Sequence, residues 1–263
     1  MKLIGFVKAD TRVAIINWIG VPLFFVYVIS MFIVPLFEEG WDWAGVQNVW
    51  DRWQALNVGA LALSSSVIAF NIAKYNSDKQ RARQFVAARA FLPHALSELT
   101  SYCKSSAKLL KEAWERGGNL GAGSASPLEV ALPELPESYK ETFSRCIGEA
   151  EPDVGDYLAR ILMRLQIHHS RLLELRNSFS PGSRTLPIRE NTKSYLYSLA
   201  ELQALINKLF GFARGSEPFD GSDLVWEDYR NAYGNLDIWV EEVDDLQAFT
   251  LRAIERKKSN QNS

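Results

Sequence analysis

The residues able to do chemistry in this chain are few: three histidines, two cysteines and one dense run of carboxylates. His168 and His169 stand side by side. His168 also falls on the spacing of an apolar helical seam made by Val154, Leu158, Ile161, Leu165, Leu172 and Leu175. An imidazole at such a position is a potential ligand or a pH-sensitive contact. A ligand set needs further convergent groups, and His94 with Glu98 one turn later does not make a His-Glu-x-x-His pattern. The pattern therefore reads as a core or interface histidine.

Cys103 and Cys146 have no Cys-x-x-Cys spacing and no adjacent histidine, so they read as small buried apolar residues, reduced on the cytoplasmic side. Glu241, Glu242, Asp244 and Asp245 lack the pattern of a calcium loop and read as the solvated face of the last helix. The sequence holds no phosphate-binding loop, no nucleophile elbow and no dinucleotide fingerprint. It names no catalytic residue, no cofactor and no metal, and leans away from an enzyme.

The elements that position these residues begin with two uncharged runs. Val13 to Phe37 is twenty-five residues without a charge. As a helix that is ~37 Å, enough to cross a hydrocarbon layer of ~30 Å with some tilt. Pro22 and Pro35 are tolerable in such a span. The run exceeds a signal-peptide core and no cleavage site follows it, so it is expected to stay as an anchor. Gln54 to Ala73 is a second uncharged run of about the minimum spanning length. Together they predict a transmembrane hairpin over 13–73, joined by an acidic, tryptophan-rich outer loop over 38–53.

Lysine and arginine gather at both ends of that hairpin: Lys2, Lys8 and Arg12 before it, Lys74, Lys79, Arg81 and Arg83 after it. The loop has Glu38, Glu39, Asp42 and Asp51 against Arg52 alone. By the positive-inside rule both termini are cytoplasmic, with Trp41, Trp43, Trp50 and Trp53 anchoring the outer interface. In the second run Ala55, Gly59, Ala62, Ser66, Ala69 and Ala73 form a seam of small residues suited to close helix packing. Asn57, Ser64 and Asn71 recur every seven residues on the opposite face. That stripe predicts packing or self-association, or, in a multimer, a polar pore lining.

The net charge of −2 hides a gradient. Lys74 to Arg116 carries +5 and Gly117 to Ser263 carries −6. The basic part adjoins the apolar runs and reads as a collar facing anionic lipid headgroups, led by Lys74, Lys79, Arg81 and Arg83. It lacks the aromatic–basic interleaving of a nucleic-acid site, so no nucleic-acid partner is expected.

The rest reads as helical. After a cytoplasmic N-terminus at 1–12 and the hairpin, a stalk helix is expected over 74–116, kinked near Phe91 by Pro93. A flexible, protease-sensitive loop follows at 117–137, then a helical domain over 138–257 and a frayed tail at 258–263. Within the domain the spacing predicts helices over Tyr139–Ala150, from an Asp153 cap to Asn177, over Asn191–Ala213, from a Ser222 or Asp223 cap to Gly234, and over Leu236–Lys257. No repeat and no strand-length alternation interrupts them; the expected fold is all-α, a two-helix hairpin followed by about five helices.

The stretch from Ala87 to Leu99, with Ala87-Ala88-Arg89-Ala90-Phe91-Leu92-Pro93, resembles one in uncharacterised bacterial inner-membrane proteins with a short N-terminal hairpin, the resemblance covering Trp53 to Tyr102. The resemblance implies a bacterial inner membrane but neither an activity nor functional residues. Three functions follow in order. The first is a membrane-anchored module binding a protein partner or itself. The second is a pore-forming effector built on Asn57, Ser64 and Asn71. The third is a tethered enzyme with its site in the helical domain, using His168, His169 and the acidic residues.

Overall fold

The computed structural model describes residues 9–38, 42–117, 126–181, 183 and 188–261, with side chains from residue 18 onward except at 21, 38 and 261. Lys2, Lys8, Glu39, Trp41 and the glycine-rich 118–125 stretch lie outside the described residues. Every regular element among the described residues is helical. The chain divides into two compact units, Met1–Gln80 and Arg81–Ser263.

In the first unit, helix α1 (Ala9–Val28) passes into a π-helical turn, Ile29–Ile33, and then into α2 (Val34–Glu38). Proline explains the turn. Pro35 has no N–H to return to the carbonyl four residues back, and the ring crowds that turn. The helix widens to accommodate it, and the Val34 N–H bonds the Ile29 carbonyl instead. The expected loop is itself largely helical. α3 (Trp43–Arg52) starts where the Asp42 carboxylate accepts the Ala44 N–H at 3.2 Å. Its Gly45 and Val46 are buried, as is Met31, and Trp50 meets Phe32 edge-on at 5.1 Å.

α4 (Gln54–Arg89) is one continuous helix whose first part is the second apolar run. Two helical segments, Trp18–Phe37 and the start of α4, are long and apolar enough to cross a membrane by length and composition. Only 12% and 6% of those two windows is buried, unlike the core helix of a water-soluble protein. The last turns of α4 belong to the second, packed unit: Ala88 is buried there, and Phe85 packs on Phe212 at 6.1 Å.

The expected stalk over 74–116 is therefore two helices. α4 ends at Arg89, and α5 (Leu92–Gly117) begins with Pro93 in its first turn, where the missing N–H costs nothing. α6 (Ser138–Glu149), α7 (Pro152–Ser178) and α8 (Arg189–Arg214) follow, then α9 (Trp226–Asn235) and α10 (Leu246–Gln261). α8 is the centre. It is buried on nearly every face from Leu196 to Leu209 and packs against α5, α7, α9 and α10. Leu92, Leu96, Leu99, Cys103 and Leu110 of α5 are fully buried. Each such leucine contributes ~1.5–3 kcal/mol by leaving water. The α7 seam is Val154, Leu158, Ile161, Leu165, His168, Leu172 and Leu175, all buried.

Three departures from the sequence reading concern helix ends. α7 starts at Pro152 behind Glu151, so Asp153 sits in its first turn and is not its cap. The chain from Leu236 to Asp245 is not helix; α10 starts only at Leu246. Asp237 takes a left-handed φ of 56°, and the Ile238 N–H closes onto the Tyr233 carbonyl at 3.0 Å. That is a Schellman stop with aspartate where glycine is usual, so the expected break at Gly234 comes slightly late. The start of α9 is likewise set by Asp228, whose carboxylate accepts the Val225 N–H, and not by Ser222 or Asp223. The described part of the expected flexible loop is pinned. Glu112 accepts the Glu129 and Val130 N–H groups at 2.7 and 2.8 Å, and Arg116 donates to the Ser126 and Pro127 carbonyls.

Candidate functional site

The most developed polar site lies where α7 and α10 face each other across α8. Glu201 interrupts the apolar run of α8, and its side chain is only 6% exposed. A carboxylate so placed must be paired, because desolvation alone would expel its charge. It is paired twice: with Arg164 of α7 at 3.1 Å and Lys257 of α10 at 2.8 Å. Lys257 also stands 5.4 Å over the Tyr197 ring and donates to the Tyr229 hydroxyl at 3.3 Å. Tyr197 and Tyr229 stack at 5.5 Å with their planes 9° apart, and burial holds the Tyr229 phenol well above its ordinary value.

Around this triad the cations multiply. Arg160, Arg164 and Arg171 recur along one face of α7, flanking its apolar seam, and Arg256, Lys257 and Lys258 lie near the end of α10. Two adjoining cavities of about 280 and 320 Å³ open between them, each bordered by Arg164, Glu201, Lys257 and Asn260. Ser194 and Ser198 border the second, with Arg171 donating to the Ser198 hydroxyl at 3.1 Å. Such an arrangement of cations has the chemistry to accept an anion. Its one buried carboxylate is bound on both sides and is not free to act as a base.

The residues singled out in the sequence fall elsewhere. His168 is buried, with no hydrogen-bond partner at either ring nitrogen among the described residues. Burial first, then the neighbouring His169 and Arg171 charges, lowers its pKa to about 3. His169 takes the polar role instead, with its Nδ1 3.0 Å from the Tyr102 hydroxyl. His94 and Glu98 form a surface pair at 3.5 Å. Cys103 and Cys146 are free and buried; burial pushes the Cys103 thiol up and the Cys146 thiol to about 11. No group of three or more histidine, cysteine or carboxylate side chains converges among the described residues.

In the first unit Asn57 is buried, accepting from the Tyr27 hydroxyl at 2.8 Å and donating to the Trp50 carbonyl at 3.4 Å. It thus faces inward, toward the chain's own first apolar segment. Ser64 and Ser66 are exposed and bond the Ala60 and Ala62 carbonyls at 2.8 Å, within their own helix. Asn71 is half-buried on the Asn57 side, whereas Gly59 is exposed with open space around it. The small-residue seam therefore faces outward, whereas of the polar stripe Asn57 is buried, Asn71 half-buried and Ser64 exposed.

Of the basic collar, Lys79 sits 5.6 Å over the Tyr75 ring, Arg83 is exposed and Lys74 half-buried. Arg81 does something else. It donates to the Glu149 and Ala150 carbonyls at 3.3 and 2.7 Å, closing the C-terminus of α6. The acidic run precedes α10 and meets cations: Glu242 with Lys111 at 3.7 Å, Asp244 with Arg189 at 3.6 Å and Asp245 with Arg252 at 2.6 Å.

The Glu201 site was missed because its charges come from three separate helices. The one local signal was a glutamate inside the apolar stretch Leu199–Ile206. Fold and site define an all-α protein with two long apolar helices and a packed helical domain bearing a basic cleft. No protein-family model, no curated protein and no solved structure matches it.

Proposed function

We propose that the chain is a two-helix membrane anchor presenting an all-α binding module at the cytoplasmic face of a bacterial inner membrane. One observation carries this reading: the apolar side chains of both long helices point outward. Leu23, Phe24, Phe25 and Val26 are exposed on the first, and Leu56, Leu61, Leu63 and Phe70 on the second. In water so large an apolar surface would drive association; lipid removes the penalty. Lysine and arginine at both ends of the hairpin favour cytoplasmic termini and contact with anionic headgroups.

The module acts by binding a protein partner or a second copy. The pore alternative draws less support, since Asn57 is bonded within its own hairpin and Ser64 to its own helix. The tethered-enzyme reading draws less support too, since His168 is buried, His169 is engaged with Tyr102 and the acidic run is paired with cations.

Fractionation and reporter fusion test the proposal together. The full chain should remain in the membrane pellet after alkaline carbonate and be released by detergent. A fluorescent reporter fused after Ser263 should be bright and a phosphatase reporter there inactive. A chain recovered as a monomer in detergent-free buffer, or an active phosphatase fusion, overturns it.

A further inference from the structure

The cleft over Glu201 gathers more positive charge than its own carboxylates neutralise, and we propose that it binds a phosphate-bearing anion. Six cations line the two adjoining cavities against two carboxylates, Glu201 and Asp223. Glu201 is committed to Arg164 and Lys257. Arg160 and Lys258 border one cavity, and Arg171 and Arg256 the other. Like charges held this close repel, and a ligand carrying more than one negative charge relieves both walls at once.

The donor set selects the anion. Guanidinium forks match the oxygens of a phosphoryl group two at a time, and they reach in here from opposite walls. Arg164 Nε is a buried donor without a partner among the described residues, and the Ser194 hydroxyl borders the second cavity, whereas the Ser198 hydroxyl is already committed to the Ser194 carbonyl at 2.9 Å. Cavities of about 280 and 320 Å³ exceed what a lone carboxylate fills and approach the lower range of small-ligand sites. Rings of Tyr197 and Phe249 border the second cavity, so an attached organic group has a surface to rest on. The phosphate of a lipid headgroup and that of a soluble compound share this chemistry. The inference holds whether or not the hairpin crosses lipid.

The test uses the full chain in nanodiscs of zwitterionic phosphatidylcholine, titrated calorimetrically with inorganic pyrophosphate. A second arm replaces a third of the lipid with phosphatidylglycerol and follows hydrogen exchange of α7 and α10. The variant is Arg160→Gln with Arg256→Gln, both exposed; the control is Arg145→Gln with Arg252→Gln, exposed arginines outside the cleft. Pyrophosphate binding weakened at least tenfold in the variant and unchanged in the control supports a soluble phosphate ligand. Protection of α7 and α10 by phosphatidylglycerol, lost in the variant, supports a headgroup. If neither probe acts on the wild type, or the variant responds as the wild type does, the proposal fails.

Discussion

At the scale of single residues, His168 shows how one buried polar group ties stability to pH. Its imidazole is 2% exposed and bonded at neither nitrogen, so the folded chain keeps it neutral down to about pH 3. The unfolded chain protonates it near an ordinary 6.5. Between these values only the unfolded state gains the proton, so stability is complete above about pH 6.5 and falls as the pH drops through the window. By pH 5 the loss is about 2 kcal/mol. The His168→Leu variant lacks this linkage, and it also removes two unsatisfied nitrogens. It should match or exceed the wild type at pH 7.5 and lose less on going to pH 5. Parallel melting curves for the two proteins across that range would refute the assignment. The same residue marks what the sequence could convey. Its helical register named it as a seam residue, and the seam is buried throughout. Nothing local gave His169 its partner, because its ring reaches Tyr102 on another helix. Glu201 was harder to read, since its partners are 37 residues before and 56 after it.

Among the elements, interiors were legible and ends were not. Apolar spacing marked α5, α7 and α8, because burial of one face is written along the chain. Helix ends depend on which residue accepts a left-handed backbone, and two ends here make opposite choices. α8 stops at Gly215, φ 74°, with the Ser216 N–H on the Gly211 carbonyl at 3.1 Å. α9 stops the same way at Asp237, φ 56°. A β-carbon in that conformation costs about 1 kcal/mol. Gly215→Ala should therefore lower stability by about 1 kcal/mol, and the exposed Asp237→Gly should raise it by up to a similar amount. Chemical denaturation of both variants decides. A stabilising Gly215→Ala would mean that the Schellman geometry does not set the end of α8. α3 escaped notice for a related reason. Ten residues with four tryptophans at or beside them read as an interfacial loop, and the helix rests on a cap at Asp42, on a buried Val46 and on Trp50 meeting Phe32.

The molecule as a whole divides inside a helix, which places a sharp demand on any dissection of it. The unit from Arg81 onward contains its own core, and α4 contributes its last turns to that core: Phe85 against Phe212, Arg89 at 5.5 Å over the same ring, Ala88 buried and Arg81 closing α6. A fragment of residues 74–263 keeps all four contacts and sheds the outward-facing apolar surface. It should be soluble without detergent, monomeric and cooperatively folded, melting within about 5 °C of the full chain. A fragment of residues 92–263 starts at the apparent domain border, the break before Pro93, and loses them. Removing a buried aromatic contact, a cap and a cation–π pair costs a few kcal/mol, so it should melt roughly 5–10 °C lower and expose Phe212 to dye binding. Circular dichroism melts of the two fragments separate the cases. Equal stability would make the end of α4 a passive tether, whereas the contacts of Phe85, Ala88 and Arg89 make it part of the domain's wall.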